Sequence, residues 1–483
     1  MKGSTNSFVF KAAEQGIVSV SVTAPEGVSV AGRTVTATAS GQTTQTRTIP
    51  SGATSVAFSL PAGTWTFSVD LPSSSYKTSS KTQTVADGEQ YFVTLAIELG
   101  LRVYGFYAPV DIAPSIDGVT YPETIFGQAN LAYGKTPASG TGANCMNDWA
   151  GCELITGIKR QTQSNASPGV FNDVTDKRAR CFGHVIIGQL TYEDVFTYVP
   201  TWWMKMTNDG TNIYCAFANE QIDETWKDYA GSVGSNHVGH FRVGCFAAYS
   251  TSASIGYIYS IGNVTPLTGI NLSKYIAYAK ARGTGYDIMT WYQWTYLAAL
   301  ATLLYKSTDL QSALGQGYTG GSSVQSETKT TNFSNDYGME GSSSTKQQMA
   351  FFWIQNLWGN MWQLVGGAMT DSSYRLMTCT GYSSTEDSDF DKTSLSVKRS
   401  SSLSGYISNV VGTLDAGFFP TLAQSTNSSA AKFHDGGFIN SLAVPYVGGF
   451  YDSKDLAGPF CVSFTVSSAN GGSYFGSRLS YRL

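Results

Sequence analysis

The chain has 483 residues, so it is too long for one compact core and should form two or more domains. Hydrophobic residues make up 42% of the sequence and aromatic residues 13%, which excludes an intrinsically disordered chain. Only 13% of residues are charged, about half the usual share in globular proteins, and the net charge of -4 excludes a general nucleic-acid binder. Low charge, 51 glycines and few strong helix formers predict a mainly β protein with a few helices.

The N-terminal part of the sequence is a short segment followed by a strand-rich region. Residues 1–15 lack the continuous apolar run and the cleavage site of a signal peptide. Residues 16–99 alternate apolar residues with Ser or Thr, as half-buried strands do, in "GIVSVSVTAP", "RTVTATAS", "SVAFSLPAGTWTFSVDL" and "QYFVTLAIEL". The "LPAG" stretch at 60–63 predicts a hairpin between two of these strands. Five to seven short strands predict a small β-sandwich. The segment resembles the immunoglobulin-like or prealbumin-like modules of bacterial surface and phage structural proteins, which usually serve as spacers.

Residues 100–190 and 191–483 make up the rest of the chain. The first stretch has isolated aromatic residues and glycines with little periodicity, which predicts a loop-rich β region joined to the domain that follows. Whether it is an insertion or an integral part of that domain stays open at this point. Within the last stretch, "NDG" at 208–210 predicts a hairpin turn, because these residues tolerate positive φ.

Two helices are predicted in the middle of the chain. The first is "LSKYIAYAKAR" at 272–282, which should end at Gly283. The second is "IMTWYQWTYLAALATLLYK", with Asp287 as its N-cap and the glycine-rich "GQGYTGG" at 315–321 as its end. This helix is apolar on nearly all faces, so other elements should enclose it, and it is too short to span a bilayer.

The stretch "NLWGNMWQLVGG" at 356–367 places two tryptophans, Trp358 and Trp362, on either side of a Gly-Asn pair. We expect Gly359 and Asn360 to form a tight turn and "MWQLV" to continue as a strand, so that the whole is a core-forming hairpin. The motif offers no acid, base or nucleophile. It therefore predicts scaffolding and excludes a catalytic centre at this point of the chain.

These residues carry a resemblance to a known family. "Asn-x-x-Gly-Asn-x-Trp" resembles the Gly-Asn-Val-Trp-Glu-Trp motif of the formylglycine-generating-enzyme branch of the C-type lectin fold. The end of the chain is similar to the terminal pattern of that branch, with Gly448 and Gly449 matching its first part and Gly476, Arg478 and Leu479 its second part loosely. The helix block after residue 278 resembles one that recurs in tail-associated phage proteins and in retroelement-diversified proteins. The resemblance implies a C-type-lectin-like domain over 191–483.

The catalytic branch of this family is implied to oxidise a cysteine through a Cys-x4-Cys pair that binds copper. The C-terminal region of this chain has only Cys379 and Cys461, which are 82 positions apart, and Cys145 and Cys152 have a different spacing. The enzyme activity therefore does not carry over, and we expect no catalytic residue, no cofactor and no metal. Phage members of the fold are implied to bind ligands through their C-terminal loops.

The loops between the framework glycines have the composition of a contact surface. Tyr, Ser, Asn and Asp on anchored loops make adaptable contacts, as they do in antibody paratopes. Phe460 is expected to lie in the core. The alternative is an ordinary solvated loop, but we predict that ligands are bound by Phe450, Tyr451, Asp452, Ser453, Lys454, Asp455, Asn470, Ser473 and Tyr474.

Three other groups of residues are weaker candidates for chemistry. His237 and His240 have a spacing that could hold a metal, but no further ligand motif lies nearby. The acidic stretch "EDSDFD" at 386–391 has the opening spacing of a calcium loop without its glycine. The third group is three carboxylates, Glu220, Asp223 and Glu224. Paired carboxylates cut glycosidic bonds only when they face each other across a cleft, and the sequence does not show such a cleft.

The cysteine count helps to place the protein. Seven cysteines with irregular spacing predict mostly buried free thiols and assembly in a reducing cytosol, although a pair between Cys145 and Cys152 stays open. The leading hypothesis is a bacteriophage virion surface protein, a tail fibre or adhesin, that recognises a bacterial surface glycan or protein. It would contact other virion proteins and form a homo-oligomer, by analogy a trimer, with no membrane insertion. The alternatives are a capsid-decorating or head-fibre protein and a retroelement-diversified binding protein.

Overall fold

The computed structural model describes residues 15–25, 27–72, 76–78, 80–110, 118–164, 167, 169–179, 181–186, 191–251, 256–327, 332–380, 390, 402–424 and 433–483. The chain folds into two compact units, Met1–Arg102 and Val103–Leu483. Residues 103–190 therefore lie in the same compact unit as the C-terminal part of the chain.

The first unit is built from two four-stranded sheets. Its described strands are β1 (Gly16–Thr23), β2 (Thr34–Thr38), β3 (Gln45–Thr48), β4 (Ser55–Leu60), β5 (Gly63–Val69), β6 (Tyr76–Thr78), β7 (Lys81–Val85) and β8 (Gln90–Leu99). The strand orders are β4-β1-β8-β6 and β3-β2-β5-β7, and β1 runs antiparallel to β4 and parallel to β8. The predicted sandwich is one strand larger than expected.

Alternation of apolar and polar residues makes the core of this unit. Successive residues of β1 point to opposite faces, so Val18, Val20 and Val22 are buried while Ser19 and Ser21 face outward. Trp65 and Phe67 of β5 reach the same core from the other sheet. The immunoglobulin-like character of the sandwich stays a prediction.

The hairpin predicted at "LPAG" is wrong. β4 pairs with β1, whereas β5 pairs with β2 and β7, so residues 60–63 carry the chain from one sheet to the other. The short loops of tight hairpins favour positive φ at their first central position, and Pro61 is fixed near a negative φ. Trp65 closes the crossover from inside, because its indole N–H donates to the Pro61 carbonyl at 3.0 Å.

The second unit has many short strands. They are β9 (Val103–Pro109), β10 (Thr124–Ile125), β11 (Gln128–Ala129), β12 (Lys159–Ser164), β13 (Asn172–Asp173), β14 (His184–Ile186), β15 (Thr191–Pro200), β16 (Trp203–Asn208), β17 (Asn212–Ala218), β18 (Ser232–Val233), β19 (Asn236–His237), β20 (His240–Gly244), β21 (Ala248–Tyr249), β22 (Tyr259–Ser260), β23 (Tyr286–Ile288), β24 (Ala350–Phe351), β25 (Ile354–Gln355), β26 (Trp362–Leu364), β27 (Ala368–Thr370), β28 (Leu376–Thr378), β29 (Leu403–Val410), β30 (Pro420–Gln424), β31 (Gly436–Ile439), β32 (Val444–Gly448), β33 (Gly458–Val466), β34 (Phe475–Gly476) and β35 (Leu479–Tyr481).

Two seven-stranded sheets organise this unit. One has the order β13-β12-β15-β20-β35-β23, with β14 beside β15, and the other has the order β30-β29-β31-β33-β32-β26-β34. A three-stranded sheet, β16-β17-β9, contains the predicted hairpin at "NDG", because β16 and β17 pair antiparallel on either side of it. With so few helical residues among those described, the fold class is confirmed as mainly β with a few helices.

The helices are α1 (Glu153–Thr156), α2 (Leu272–Lys280), α3 (Trp291–Tyr305) and α4 (Leu310–Ala313), with 3₁₀ turns at Asn147–Trp149 and Lys454–Leu456. Every residue of α3 is buried, which confirms the predicted enclosed helix. Trp291 packs edge-on against Phe464 of β33, and Tyr296 packs against Phe217 and Phe241 of the other sheets. The helix is thus a central core element of the second unit.

Both predicted limits of α3 are wrong. Asp287 lies in β23, where it pairs with Ser480, and the N-cap is Thr290, which forms a capping box with Gln293. Thr290 is adjacent to the first helical turn, so its hydroxyl reaches the free N–H groups that Asp287 is too far upstream to reach. At the other end, Lys306 adopts the left-handed conformation and stops the helix nine residues before "GQGYTGG".

Residues 356–365, which we name the tryptophan–glycine segment, are all buried. The predicted turn is present, with φ of 79° at Gly359 and 62° at Asn360. The predicted hairpin is wrong, because β25 pairs with β24 while β26 pairs with β32 and β34. The partners of β26 lie about a hundred residues further along the chain, where local spacing gives no information about them.

The seven cysteines are free thiols, and five of them are buried. The prediction of mostly buried, unpaired cysteines is therefore confirmed, and Cys145 and Cys152 do not pair. Burial raises the pKa of the Cys145 thiol to about 11, so it is unreactive at neutral pH. In the part of the chain that the structure describes, every helix falls short of the length and apolar character that a bilayer crossing requires.

Candidate functional site

The candidate site begins where β32 ends in two glycines. Gly448 has a φ of 85° and Gly449 a φ of 78°, a conformation that side chains disfavour. There is also no room for a side chain, because a Cβ on Gly448 would lie 2.9 Å from the Leu357 carbonyl oxygen and one on Gly449 would lie 2.8 Å from the Ala457 Cβ. The two glycines set the direction in which the chain leaves the sheet, as the framework role predicted for them requires.

The tryptophan–glycine segment holds the loop that follows, residues 449–457. The Gly359 N–H donates to the Gly448 carbonyl at 2.9 Å, and the Tyr451 N–H donates to the Asn360 carbonyl at 3.1 Å. The Asn360 side chain is buried and forms two hydrogen bonds with the backbone of Gln325, at 2.8 and 3.0 Å. One asparagine therefore ties the loop to the core and to a third chain segment.

A second loop, residues 467–474, approaches the first from the other end of β33. It is fixed to the start of α2, because the Gly269 N–H donates to the Gly472 carbonyl and the Asn271 amide donates to the Ala469 carbonyl. The Trp362 N–H donates to the Tyr474 carbonyl at 3.0 Å. The tryptophan–glycine segment thus contacts both loops.

Aromatic rings join the two loops. The Phe450 ring lies 5.2 Å from the Tyr474 ring and 5.0 Å from the Tyr451 ring, between ring centroids. Beneath them the Trp362 ring stacks on Phe450 at 6.2 Å, with an angle of 21° between the planes. Tyr474 is 38% exposed, so a continuous aromatic cluster runs from the core to the surface. The structure therefore brings together the aromatic residues that the sequence predicted for the site.

The polar residues of the predicted site fall into two groups. Asp452, Lys454, Asn470 and Ser473 are exposed on the two loops. Ser453 is only 6% exposed, and its hydroxyl accepts a hydrogen bond from the Phe450 N–H, so it shapes the first loop from inside.

Asp455 is half-buried and accepts a hydrogen bond from the Tyr406 hydroxyl at 2.9 Å. Burial, together with this bond to a carboxylate, raises the pKa of Tyr406 to about 12 and keeps the phenol protonated. The contact fastens the 3₁₀ turn at Lys454–Leu456 to β29. Asp455 therefore contributes to the shape of the first loop as well as to its charge.

A buried ionic network lies under the site. Arg478 donates to the Gln363 side chain at 3.0 Å and to the carbonyls of Gly244 and Gln355 at 3.0 and 2.6 Å. Its guanidinium lies 3.8 Å from the Glu327 carboxylate, and both side chains are fully buried. Burial raises the pKa of Glu327 while Arg478 opposes that rise. The arginine of the terminal motif thus joins the two large sheets as a scaffold residue.

Sequence reasoning missed a third segment at the site, residues 315–326. The Gly321 N–H donates to the Tyr451 carbonyl at 2.6 Å, and the Lys454 N–H donates to the Thr319 carbonyl at 3.0 Å. The signal for this contact is the glycine-rich "GQGYTGG", since glycines allow a close approach of backbones.

The two histidines of "HVGH" have separate partners. His237 lies 3.0 Å from the buried Asp228 carboxylate, whereas His240 contacts the Arg242 guanidinium at 2.9 Å. A cation beside His240 opposes metal binding there. Among the described residues, no group of three or more His, Cys, Asp or Glu side chains is placed to hold a metal. The three aspartates of "EDSDFD" lie outside the described residues.

The carboxylates considered for glycoside hydrolysis are at the surface. Asp223 and Glu224 are exposed, and Glu220 is half-buried. The Asp223 carboxylate accepts hydrogen bonds from the backbone N–H and the hydroxyl of Thr225, and these bonds hold its pKa below the usual range. These contacts are those of a turn, since an acid catalyst needs a raised pKa.

No protein-family model and no curated protein matches the chain. Among solved structures, it is similar to the Major Tropism Determinant U1 variant at 12% identity over 68% of this chain and 73% of that chain, with a TM-score of 0.26. It is similar to PvdO from Pseudomonas aeruginosa at 12% identity over 63% of this chain and 100% of that chain, with a TM-score of 0.26. The Bacillus anthracis TIE protein aligns at 13% identity over 44% and 32%, with a TM-score of 0.17. Likeness at these TM-scores assigns neither a fold nor a function to this chain.

Proposed function

We propose that this chain is a non-enzymatic adhesin on the surface of a bacteriophage virion, which binds a bacterial surface receptor through a C-type-lectin-like domain. The observation that carries the proposal is the pair of loops, 449–457 and 467–474, joined by the Phe450–Tyr474 contact and fastened to a buried segment. Low charge, free cysteines and the lectin-like motifs support the same function.

The physical advantage of this arrangement is low entropic cost. Tyrosine and phenylalanine have two side-chain torsions each, so ordering them on binding costs little, and the loops are already held by backbone hydrogen bonds. Exposed Asp452, Lys454, Asn470 and Ser473 surround the aromatic cluster with polar groups. An apolar centre with a polar rim is the arrangement that carries affinity at protein interfaces.

The proposal includes a homo-oligomer, a trimer by analogy with fibre-like adhesins, on a particle that displays many copies. Linked sites raise avidity without new contacts, so a modest affinity per loop pair is sufficient. The receptor is a bacterial surface glycan or protein.

A second candidate is a capsid-decorating protein that docks through its first unit. The observation that favours it is the outer face of the β4-β1-β8 sheet, where Phe92 is 83% exposed and Ile17 is 45% exposed. An exposed apolar face often marks a protein contact, and other virion proteins are the expected partners. The two candidates differ in whether particles lacking the protein still attach to cells.

The adhesin function is tested with the purified, fluorescently labelled chain and a panel of bacterial strains in flow cytometry. The double substitution Tyr451→Ala/Tyr474→Ala should weaken binding to a positive strain about tenfold or more, because it removes the aromatic centre of the site. Tyr133→Ala is the matched control, since Tyr133 is 55% exposed on another segment. Equal binding by the double variant and the control would contradict the proposed site.

A further inference from the structure

Two chain segments beside the candidate site enclose an open cleft of about 460 Å³, which lies within the range of small-ligand pockets, about 300–1,000 Å³. One wall comes from residues 318–326 and the other from residues 340–348. We name it the 318–348 cleft, and it is lined by Tyr318, Gln325, Ser326, Glu340, Lys346, Gln347 and Gln348. None of these residues was predicted from the sequence to bind a ligand.

The walls of the cleft are held together by the protein itself. The Gln316 N–H donates to the Ser342 carbonyl at 2.9 Å, and the N–H groups of Thr319 and Gly320 both donate to the Thr345 carbonyl at 2.8 Å. The Gln348 amide donates to the Ser326 carbonyl at 2.7 Å. A cleft with fixed walls binds without the cost of closing, so its shape is available to a ligand in advance.

The cleft is continuous with the loop at 449–457. Gly321 donates to the Tyr451 carbonyl and Thr319 accepts from the Lys454 N–H, so the wall of the cleft and the loop share hydrogen bonds. Gln325, another wall residue, is held by the buried Asn360. The cleft therefore adjoins the loop that carries Phe450 and Tyr451 of the aromatic cluster.

The lining has a distinct chemistry. Three carboxamides line the cleft, from Gln325, Gln347 and Gln348, and a carboxamide has the donor and acceptor atoms that pair with a sugar hydroxyl. The Gln325 amide donates to Ser323 and the Gln348 amide to Ser326, so the exposed Gln347 is the main candidate donor to a ligand. One acidic side chain, Glu340, and one basic side chain, Lys346, leave no net charge for a strongly ionic ligand. Tyr318 supplies one aromatic ring among otherwise polar groups. This composition suits a polyhydroxylated, uncharged molecule and disfavours an apolar ligand.

We propose that the 318–348 cleft is a binding subsite for a neutral saccharide, which deepens the proposed adhesin function and rests on it. The carboxamides pair with ring hydroxyls and the Tyr318 ring covers an apolar sugar face. The receptor class is thereby narrowed to a surface polysaccharide that also reaches the aromatic cluster at Phe450 and Tyr474.

The test uses the full chain and an immobilised array of purified bacterial capsular polysaccharides and lipopolysaccharide O-polysaccharides. The strongest neutral polysaccharide is then titrated by biolayer interferometry. Lys346→Ala/Gln347→Ala should bind it about tenfold more weakly, because each exposed side chain provides a net hydrogen bond to the ligand. The matched controls are Lys274→Ala and Gln42→Ala, which remove exposed side chains of the same types elsewhere and should bind like the original chain.

Each outcome decides between the cleft and the wider function. No binding to any neutral polysaccharide, or equal binding by the double variant and its controls, overturns the saccharide subsite. If strains still bind and Tyr451→Ala/Tyr474→Ala reduces that binding, the adhesin function stands without the subsite. If Lys346→Ala/Gln347→Ala weakens binding to cells while no polysaccharide binds, the cleft contacts a protein receptor and the saccharide class is wrong. Cleft-dependent polysaccharide binding without binding to any strain supports the subsite and contradicts the adhesin.

Discussion

The tryptophan–glycine segment, residues 356–365, and the loop at 449–457 contain the same kinds of residues but differ in burial. Both contain glycine in the left-handed conformation and large aromatic residues. The first is buried along its whole length, between β32 and β34, while the second exposes Asp452 and Lys454 and keeps its aromatic rings half-buried. The content of glycine and aromatic residues alone therefore does not distinguish a buried scaffold segment from an exposed loop. Pairing with distant strands does.

The largest effect should come from opening the scaffold at Trp358. This side chain is fully buried, and its indole N–H donates to the Gly315 carbonyl at 3.0 Å. Trp358→Ala leaves a cavity and an unpaired carbonyl, so the free energy of unfolding should fall by about 3–5 kcal/mol. Urea denaturation measures it. The control is Tyr474→Ala in the surface loop, which should change stability by about 1 kcal/mol or less. Equal losses of stability in the two variants would contradict the different roles of the buried segment and the surface loop.

A smaller effect is expected at Asn360. Asn360→Ala removes two side-chain hydrogen bonds and leaves the partly buried N–H and carbonyl groups of Gln325 without those partners. It also places alanine at a φ of 62°, which asparagine tolerates better. The free energy of unfolding should fall by about 2–3 kcal/mol. Asn470→Ala is the matched control on the exposed loop, and a change of about 0.5 kcal/mol or less is expected there.

Glycine at the start of the loop provides a finer comparison. Gly449→Ala and Gly210→Ala both place a side chain at positive φ, which costs about 1–2 kcal/mol in each case. A Cβ on Gly449 also meets Ala457 at 2.8 Å, whereas one on Gly210 meets no atom within 4 Å. Thermal unfolding of both variants should therefore show the larger loss for Gly449→Ala. A larger loss for Gly210→Ala would mean that the loop at 449–457 rearranges to accommodate the added methyl group.

The smallest effect should be the pH dependence of a surface group outside both regions. The hydrogen bond to Asp228 raises the pKa of His237, with partial burial opposing it. The protonated ring is thus favoured in the folded state, and its stabilisation is full below the ordinary pKa of about 6.5 and lost as pH rises through the raised value. His237→Gln should lower stability more at about pH 5.5 than at about pH 8.5 in paired denaturation curves. A pH-independent difference would contradict this assignment.

Local signals in the sequence predicted local structure well. The "NDG" turn lies between strands that pair directly, so its hairpin needed no distant information, and the apolar faces of α3 indicated its enclosure. Thr290 and Gln293 have the Thr-x-x-Gln spacing of a capping box, so the sequence also contains the signal for the observed N-cap. Residue type alone could not predict which residues of the proposed site are exposed and which are buried. Ser453 has the same side-chain chemistry as Ser473, and only the fold of the loop decides which hydroxyl turns inward.

The pairing of strands that lie far apart in the sequence could not be predicted from the sequence. β26 pairs with β32 and β34, which lie about a hundred residues further along the chain. The periodicity of "MWQLV" contains no information about which strands these are. The same holds for residues 315–326, whose contact with Tyr451 follows from how the strands assemble. The 318–348 cleft, which depends on both walls being brought together, therefore became visible only in the folded chain.

Hydrogen–deuterium exchange is the most direct test of whether the buried tryptophans hold the two loops as a contact surface. Exchange is compared for the free protein and for the protein bound to envelope fragments of a strain that it recognises. Binding should slow exchange at 449–457 and 467–474, with no change at 356–365, where the buried backbone should already exchange slowly in the free protein. Slowing confined to the first unit, or fast exchange at 356–365 in the free protein, would contradict the account.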